Sequence, residues 1–312
     1  MAAPLLTVEE LRVDYEDVTA VDDVSFSIEP GMVYGLIGPN GAGKTSIIRV
    51  VATLLEPTYG RILINGVDPI LEPQRALRHV GYMPDFPPLY DDLTVLEFLE
   101  LFASAYGLEP STRRKRILDL VEKVQLSEKL EQPAGGLSRG MKQRLFLAKT
   151  LLHDPKVLLL DEPASGLDPR ARLELRDVIV ELGKQGKAVL VSSHILSEMA
   201  DFCNSVGIME RGKMIVTGRI DAILEQLQPH RILKVRLTAP DSRLGLFLSS
   251  AGAVSELTLD GPAASFRFMG DDSDAASLLR SLILNDFQIL SFQEHTGNLQ
   301  DIFLKVSTGR VS

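Results

Sequence analysis

Residues Gly38 to Thr45 read GPNGAGKT and fit the spacing G-x-x-x-x-G-K-[ST]. That stretch constrains the fold more than any other. Its glycines permit a tight turn in which successive backbone N–H groups point inward at a polyphosphate. Lys44 adds a point charge for the outer phosphates, and Thr45 offers a hydroxyl to Mg²⁺ at the start of a helix whose positive end faces the anion. The flanks agree: Val33-Tyr34-Gly35-Leu36-Ile37 is a short apolar run, and Ser46-Ile47-Ile48-Arg49-Val50-Val51 opens a helix. The candidate phosphate-binding set is Gly38, Pro39, Asn40, Gly41, Ala42, Gly43, Lys44, Thr45 and Ser46.

A chain of 312 residues points to more than one domain. Its net charge of −9 argues against a general nucleic-acid binder, so no nucleic acid is expected as partner. The lone cysteine, Cys203, rules out a disulfide framework, suits a cytoplasmic setting and reads as a small packed side chain. No apolar run approaches the ~18 residues of a membrane span, and Met1 to Glu10 lacks the basic start of a signal peptide. Any tie to a membrane is therefore expected to run through a partner.

From Leu5 to about Gly218 short strands alternate with helices. Val8–Val13 and Val24–Ile28 alternate apolar and polar residues like half-buried strands, while Val157–Leu160 and Ala188–Val191 are continuous apolar runs suited to a parallel sheet covered on both faces. Asn65-Gly66 after Arg61–Ile64 predicts a hairpin. Residues 86–153 are expected to form a helical insertion, with a capping box at Thr94–Glu97 and helices over about Arg113–Gln125 and from Ser138 to His153. From Arg231 the pattern β-α-β-β-α-β predicts a ferredoxin-like α+β unit, followed by an apolar helical stripe of Leu299, Ile302, Phe303 and Val306. The expected fold is thus α/β: a P-loop NTPase sheet core with an antiparallel β-subdomain and the helical insertion over 1–228, and the small C-terminal unit over 229–312.

The remaining chemistry clusters at strand ends. Asp161 and Glu162 close the run Leu158–Leu160, where a parallel sheet presents its ligands. An exposed acidic turn before Pro163 is the alternative, but the upstream loop favours Asp161 as a Mg²⁺ ligand and Glu162 as the group that orients or deprotonates a water at the γ-phosphate. His194 ends Val191-Ser192-Ser193 and is placed to donate to that phosphate. Ser138 is a natural N-cap and Gly140 allows an anion close to the backbone, giving a second phosphate-binding helix start. One triphosphate does not need both ends, so the second is assigned to a nucleotide held by another copy. Tyr15, in a loop between the first strands, is expected either to stack on a base or to pack on the sheet edge.

These motifs in this order, over about residues 5 to 227, resemble the nucleotide-binding domain of ABC transporters. Gly38–Thr45 resembles its phosphate loop, Leu137–Met141 its signature, Leu158–Glu162 its second nucleotide motif, Ser165-Gly166-Leu167-Asp168 its D-loop and His194 its switch histidine. Tyr15 matches the adenine-stacking aromatic. The resemblance implies ATP and Mg²⁺, hydrolysis in a head-to-tail dimer and coupling to a separate integral-membrane permease. Lys44, Thr45, Asp161, Glu162 and His194 of one subunit then work with Ser138 and Gly140 of its mate, and Asp168 lies at their interface. Such a subunit sits peripherally on the inner face of the membrane. The signature and the appended tail lean toward exporters, and the helix from Thr94 with the loop Phe86 to Tyr90 before it is the candidate permease dock, Leu89 and Tyr90 foremost because Leu96, Leu99 and Phe102 have core spacing. The alternatives are a soluble ABC ATPase acting on a ribosome or DNA, and an ATPase regulated by a ligand of its C-terminal unit. Two departures stand out: Asp85 replaces the usual Gln, leaving its Mg²⁺ role open, and the signature has Arg139 and Met141 where Gly and Gln are commoner.

Overall fold

The computed structural model describes residues 3–86, 88–195, 199, 202–227 and 231–295. The stripe expected from Leu299 to Val306 lies outside these residues. The chain divides into two compact units, Met1–Ile220 and Asp221–Ser312.

In the first unit, β1 (Leu6–Tyr15) is the centre of a three-stranded antiparallel sheet, flanked by β2 (Val18–Ile28) and β4 (Tyr59–Ile64). The second sheet carries the order β5-β6-β7-β3-β8-β9. It consists of β3 (Val33–Ile37), β5 (Val80–Met83), β6 (Val157–Leu160), β7 (Ala188–Ser193), β8 (Ser205–Glu210) and β9 (Lys213–Arg219). All its pairings are parallel except β8 with β9. Each residue of β6 and β7 is buried, as continuous apolar runs demand in a sheet covered on both faces. One apolar core joins the two sheets: Val8, Val24 and Ile62 from the antiparallel side meet Leu36, Leu159 and Leu190 from the mixed one. Cys203 is buried against Gly35, and burial pushes its thiol up, so it behaves as packing.

Helices α1 (Lys44–Val51) and α2 (Pro73–Leu77) follow β3 and β4. The reversal expected at Asn65-Gly66 forms as a two-residue turn: both residues are left-handed (φ 50° and 79°), and Ile64 and Val67 exchange both backbone hydrogen bonds, at 2.8 and 2.9 Å. The ladder stops at that single pair, and the chain then turns away. The Asp68 carboxylate takes the N–H groups of Ile70 and Leu71, and Pro69 has no N–H to offer a ladder. The partner of β4 is β1 instead.

The insertion contains α3 (Val95–Ala105), α4 (Pro110–Lys123) and α5 (Arg139–Thr150), with 3-10 turns at Ser127–Lys129 and Ala134–Gly136. The capping box is present: the Thr94 hydroxyl accepts from Glu97 N at 3.2 Å and the Glu97 carboxylate accepts from Thr94 N at 2.9 Å. Val95, Leu96, Phe98 and Leu99 of α3 are buried, so that face belongs to the insertion's own core. Helix α4 begins at Pro110, three residues before the apolar stripe signals it, because proline suits the first helical position. Helix α6 (Pro169–Lys184) follows the acids, capped by Asp168, whose carboxylate accepts from Ala171 N at 3.0 Å.

The second unit holds α7 (Ile220–Leu227), which begins one residue before it, then β10 (Arg231–Leu237), α8 (Arg243–Ser250), β11 (Val254–Asp260), β12 (Ala263–Phe268), α9 (Asp272–Leu284) and β13 (Ile289–His295). The four strands form an antiparallel sheet in the order β11-β12-β10-β13. Leu233, Val235, Phe266 and Phe268 pack with Leu248 of α8 and Leu282 of α9.

Leu159 lies fully buried in the middle of the mixed sheet, inside the core that joins both sheets. Leu159→Ala is expected to destabilise the first unit by about 2–5 kcal/mol through lost burial and the cavity left behind. Urea unfolding followed by circular dichroism measures this; a loss below about 1 kcal/mol would contradict the packing described.

Candidate functional site

Strand register builds the site. Ile37 of β3 pairs with Ser193 of β7, and Leu160 of β6 pairs with Val191. The residues that follow these strands therefore arrive side by side at the carboxyl edge of the sheet: Gly38–Thr45, Asp161-Glu162 and His194.

The loop Gly38–Gly43 connects β3 to α1. A Cβ at Gly38 would collide with the Met209 carbonyl, and one at Gly43 (φ 101°) with the Ala20 carbonyl, so close backbone approach dictates glycine at both. No side chain caps the start of α1, leaving its first amides for an anion. Lys44 is buried beneath the loop, where its ammonium donates to the carbonyls of Gly38 (2.7 Å) and Pro39 (3.2 Å). It also lies 3.7 Å from Glu162 Oε1. Burial lowers the Lys44 pKa below its ordinary value, while the charges of Glu162 and Asp161 pull it back up.

Asp161 is buried, and its Oδ1 accepts from Ser192 Oγ at 2.7 Å and from Thr45 Oγ1 at 3.3 Å. Glu162 has φ 46°, a left-handed backbone that a bulky side chain adopts only when its surroundings impose it. Here the imposing contact is the Glu162 N–H, which donates to Ser192 Oγ at 2.8 Å. The Glu162 carboxylate then spans from Lys44 to His194, whose Nδ1 lies 2.9 Å from Oε2. With a carboxylate as partner, Nδ1 is the donor. One hydroxyl thus fixes both acids, and a lysine and a histidine fix the reach of the second.

Asp85 faces the same cleft, of about 390 Å³, together with Lys44, Thr45, Ser46, Glu162 and His194. Its Oδ1 is buried without a hydrogen-bond partner. Burial, then the charges of Asp161 and Glu162, push the Asp85 carboxyl above its ordinary range; Arg139 and His194 oppose this. Hard oxygens from Thr45, Asp161 and Asp85 suit a divalent cation such as Mg²⁺. Tyr15 ends β1 rather than sitting in a loop, because its backbone still pairs with Val18 across the turn. Its ring is 41% exposed and its hydroxyl lies 3.2 Å from Ser46 Oγ, beside the cleft. Ser138 and Gly140 line a different cavity, of about 430 Å³, with Met141, Asp168 and Ala171. Ser138 caps α5 by accepting from Met141 N at 3.3 Å, and a Cβ at Gly140 would lie 2.7 Å from Ala171 Cβ.

The family model described as ABC transporter matches residues 21–165. The chain is 35% identical over 302 residues to the uncharacterized ABC transporter ATP-binding protein YxlF of Bacillus subtilis, covering 97% of this chain and 99% of that one. The chain belongs to the ABC transporter ATP-binding proteins. Its relatives include the Nod factor export ATP-binding protein I of Ralstonia nicotianae, 33% identical to this ABC ATPase over 99% of the chain and 95% of that protein. A solved structure of an ATP-binding subunit of an ABC transporter matches with a TM-score of 0.65 and 35% identity, covering 72% of this chain and 93% of that one. This ABC ATPase binds ATP and hydrolyses it to drive transport. Among the described residues, no helix is long and apolar enough to cross a membrane.

The sequence reading missed Ser192 of this ABC ATPase as a site residue. The available signal was a hydroxyl directly after a continuous apolar strand; a fully buried hydroxyl has to find partners inside the protein. Ser192→Ala removes the donor to Asp161 and the acceptor of the Glu162 amide. We expect turnover to fall on the order of tenfold or more, with ATP affinity changing less, because the loss falls on catalytic alignment. Steady-state kinetics beside equilibrium nucleotide titration separates the two; an unchanged kcat would remove Ser192 from this role.

Proposed function

We propose that this ABC ATPase works as a head-to-tail pair. Each composite site joins Lys44, Thr45, Asp161, Glu162 and His194 of one copy to Ser138 and Gly140 of the other, with Asp168 at the shared interface. The observation that carries this reading is the separation of the two candidate phosphate-binding helix starts: α1 opens on one cavity and α5 on another, so neither encloses a nucleotide alone. In the closed pair the γ-phosphate is gripped by the first amides of α1 and by Lys44. The Glu162 carboxylate accepts the proton of a water whose oxygen attacks the γ-phosphorus. The bond from that phosphorus to the bridging oxygen breaks, and ADP and inorganic phosphate leave. His194, tied to Glu162 through Nδ1, holds the carboxylate in line; its Nε2 donates to the phosphate only when the ring is the imidazolium, with both nitrogens protonated. Mg²⁺, held by Thr45 and Asp161 with Asp85 beside them, would supply positive charge to the outer phosphates. Tyr15 would stack on the adenine.

The motor then acts on a separate membrane permease and sits on the inner face of the membrane through it. Exposed Phe86 and Tyr90, ahead of α3, are the candidate contact. Export is favoured because relatives spanning nearly the whole chain are named for Nod factor export and for linearmycin resistance. We read residues 1–228 as the ATPase domain and 229–312 as an accessory domain of ferredoxin-like type, supported by the strand order β11-β12-β10-β13 and the two helices that connect its strands.

Glu162→Gln should retain ATP binding, lose at least about a hundredfold in turnover by the usual worth of a general base, and accumulate as an ATP-bound dimer in size-exclusion chromatography. Wild-type turnover in that variant would sink the assignment of Glu162. Lys44→Ala should instead weaken ATP binding itself, because it removes the buried cation and the tether of the loop; equilibrium titration with a fluorescent ATP analogue reads this, and unaltered affinity would contradict the cradle.

A further inference from the structure

The cavity at the start of α5 holds two guanidinium groups on one carboxylate. Arg144 of α5 is buried, and its Nη2 lies 3.3 Å from Glu174 Oε2. Arg170, in the first turn of α6, donates from Nε to Glu174 Oε1 at 3.0 Å. Both arginines line the cavity with Ser138, Gly140 and Asp168.

The two cations differ in freedom. Arg144 also donates to the Val124 carbonyl at 3.2 Å and to Gln125 Oε1 at 3.4 Å, so burial and hydrogen bonds fix it in place. The Arg170 side chain is 89% exposed. An exposed arginine–carboxylate pair one helical turn apart contributes little, because water already screens both charges. Its release does not strand the acid either, since Glu174 keeps Arg144 on its other oxygen. The other acid of the cavity, Asp168, is engaged as the cap of α6. A Cβ at Gly140 would lie 2.7 Å from that of Ala171, so the start of α5 touches the first turn of α6, and Arg170 is the residue before Ala171. Within one copy Arg170 does not line the cleft of Lys44 and Glu162. It can meet a phosphate only where Ser138 and Gly140 do, on the nucleotide of a second copy.

We propose that Arg170 acts in trans: when the pair closes, its guanidinium leaves Glu174 and donates to the terminal phosphate held by the phosphate loop of the other copy. A guanidinium matches phosphate oxygens with two parallel N–H donors. While the γ-phosphoryl group passes to water, the charge on its outer oxygens is what the protein stabilises, and a cation brought by the partner adds to Lys44 there. This rests on the head-to-tail reading above and adds to it a side chain that each copy lends to the other.

Turnover of Mg²⁺-ATP by the full chain, singly and in mixtures, tests it. Arg170→Gln should lower kcat about tenfold or more, with KM for ATP changing less. Arg170→Lys, which keeps the charge, should recover part of that loss, and no recovery would contradict a cation at the phosphate. The urea midpoint of Arg170→Gln should match that of the wild type; a fall in stability alongside turnover would make Arg170 a brace for α6 and overturn the proposal. The deciding measurement mixes Arg170→Gln with Glu162→Gln. The first variant is defective in what it lends and the second in what it uses, so only the mixed pair contains a complete site. Equal amounts should give about a quarter of wild-type turnover, because about half of the pairs are mixed and each of those has one complete site of two. A rate equal to the mean of the two variants measured alone would overturn the proposal, as would an unchanged kcat in Arg170→Gln. Ser138→Arg mixed with Glu162→Gln is the companion measurement. Recovery there without recovery for Arg170→Gln overturns this inference alone, and no recovery in either mixture overturns the head-to-tail reading as well.

Discussion

Side-by-side pairing of β6, β7 and β3 is the constraint on which the active edge depends. Parallel strands hold their residues in fixed register, so the pairs Leu160–Val191 and Ile37–Ser193 also determine what lies one step beyond each strand. Asp161 arrives beside Ser192, and Gly38 beside Ser193, whose carbonyl accepts the Gly38 N–H at 3.3 Å. The strands themselves are apolar and buried on both faces, and a slip would place charged groups among Leu158, Leu160 and Val191. Hydrophobic burial therefore sets the distances of the polar site, although no apolar side chain of these strands does any chemistry.

The same register makes Ser192 the pivot between binding and catalysis. Its proton goes to Asp161, the acid that faces Thr45, and its lone pair takes the amide of Glu162, the acid that faces Lys44 and His194. The amide bond also accounts for the left-handed backbone at Glu162, since the N–H has to be turned toward the neighbouring strand to be satisfied. Strain at one residue is thereby held in place by a hydroxyl on the next strand.

Much of this was legible in the sequence. The glycine spacing of the loop, the continuous apolar runs of β6 and β7 and the Thr94–Glu97 cap are local patterns whose physics is complete within a few residues, and each appears where expected. What was not legible depends on groups distant in the chain. Asn65-Gly66 signals a reversal that does form, but its second arm ends after Val67, where Asp68 takes the N–H groups of the following turn, and the long ladder of β4 is with β1, some sixty residues earlier. Tyr15 looked like a loop residue for a local reason: it pairs with Val18 across Glu16-Asp17, which carries no glycine to announce so tight a turn. Ser192 showed only its place after an apolar run, because its partners, Asp161 and the Glu162 amide, come from another element. Helix α4 began early for a related reason: its first turn has no apolar face to reveal it, only a proline.

Lys44 already holds its own loop from within, through the carbonyls of Gly38 and Pro39, with the Ala20 and Met209 carbonyls closing in on two of the glycines. The mould is therefore cast before any guest arrives. Most of the ordering entropy of that segment is spent during folding, not at the moment of capture, and a phosphate meets amides that need little rearrangement. Speed of capture should then be governed by diffusion and by the sign of the local field more than by any reshaping of the loop.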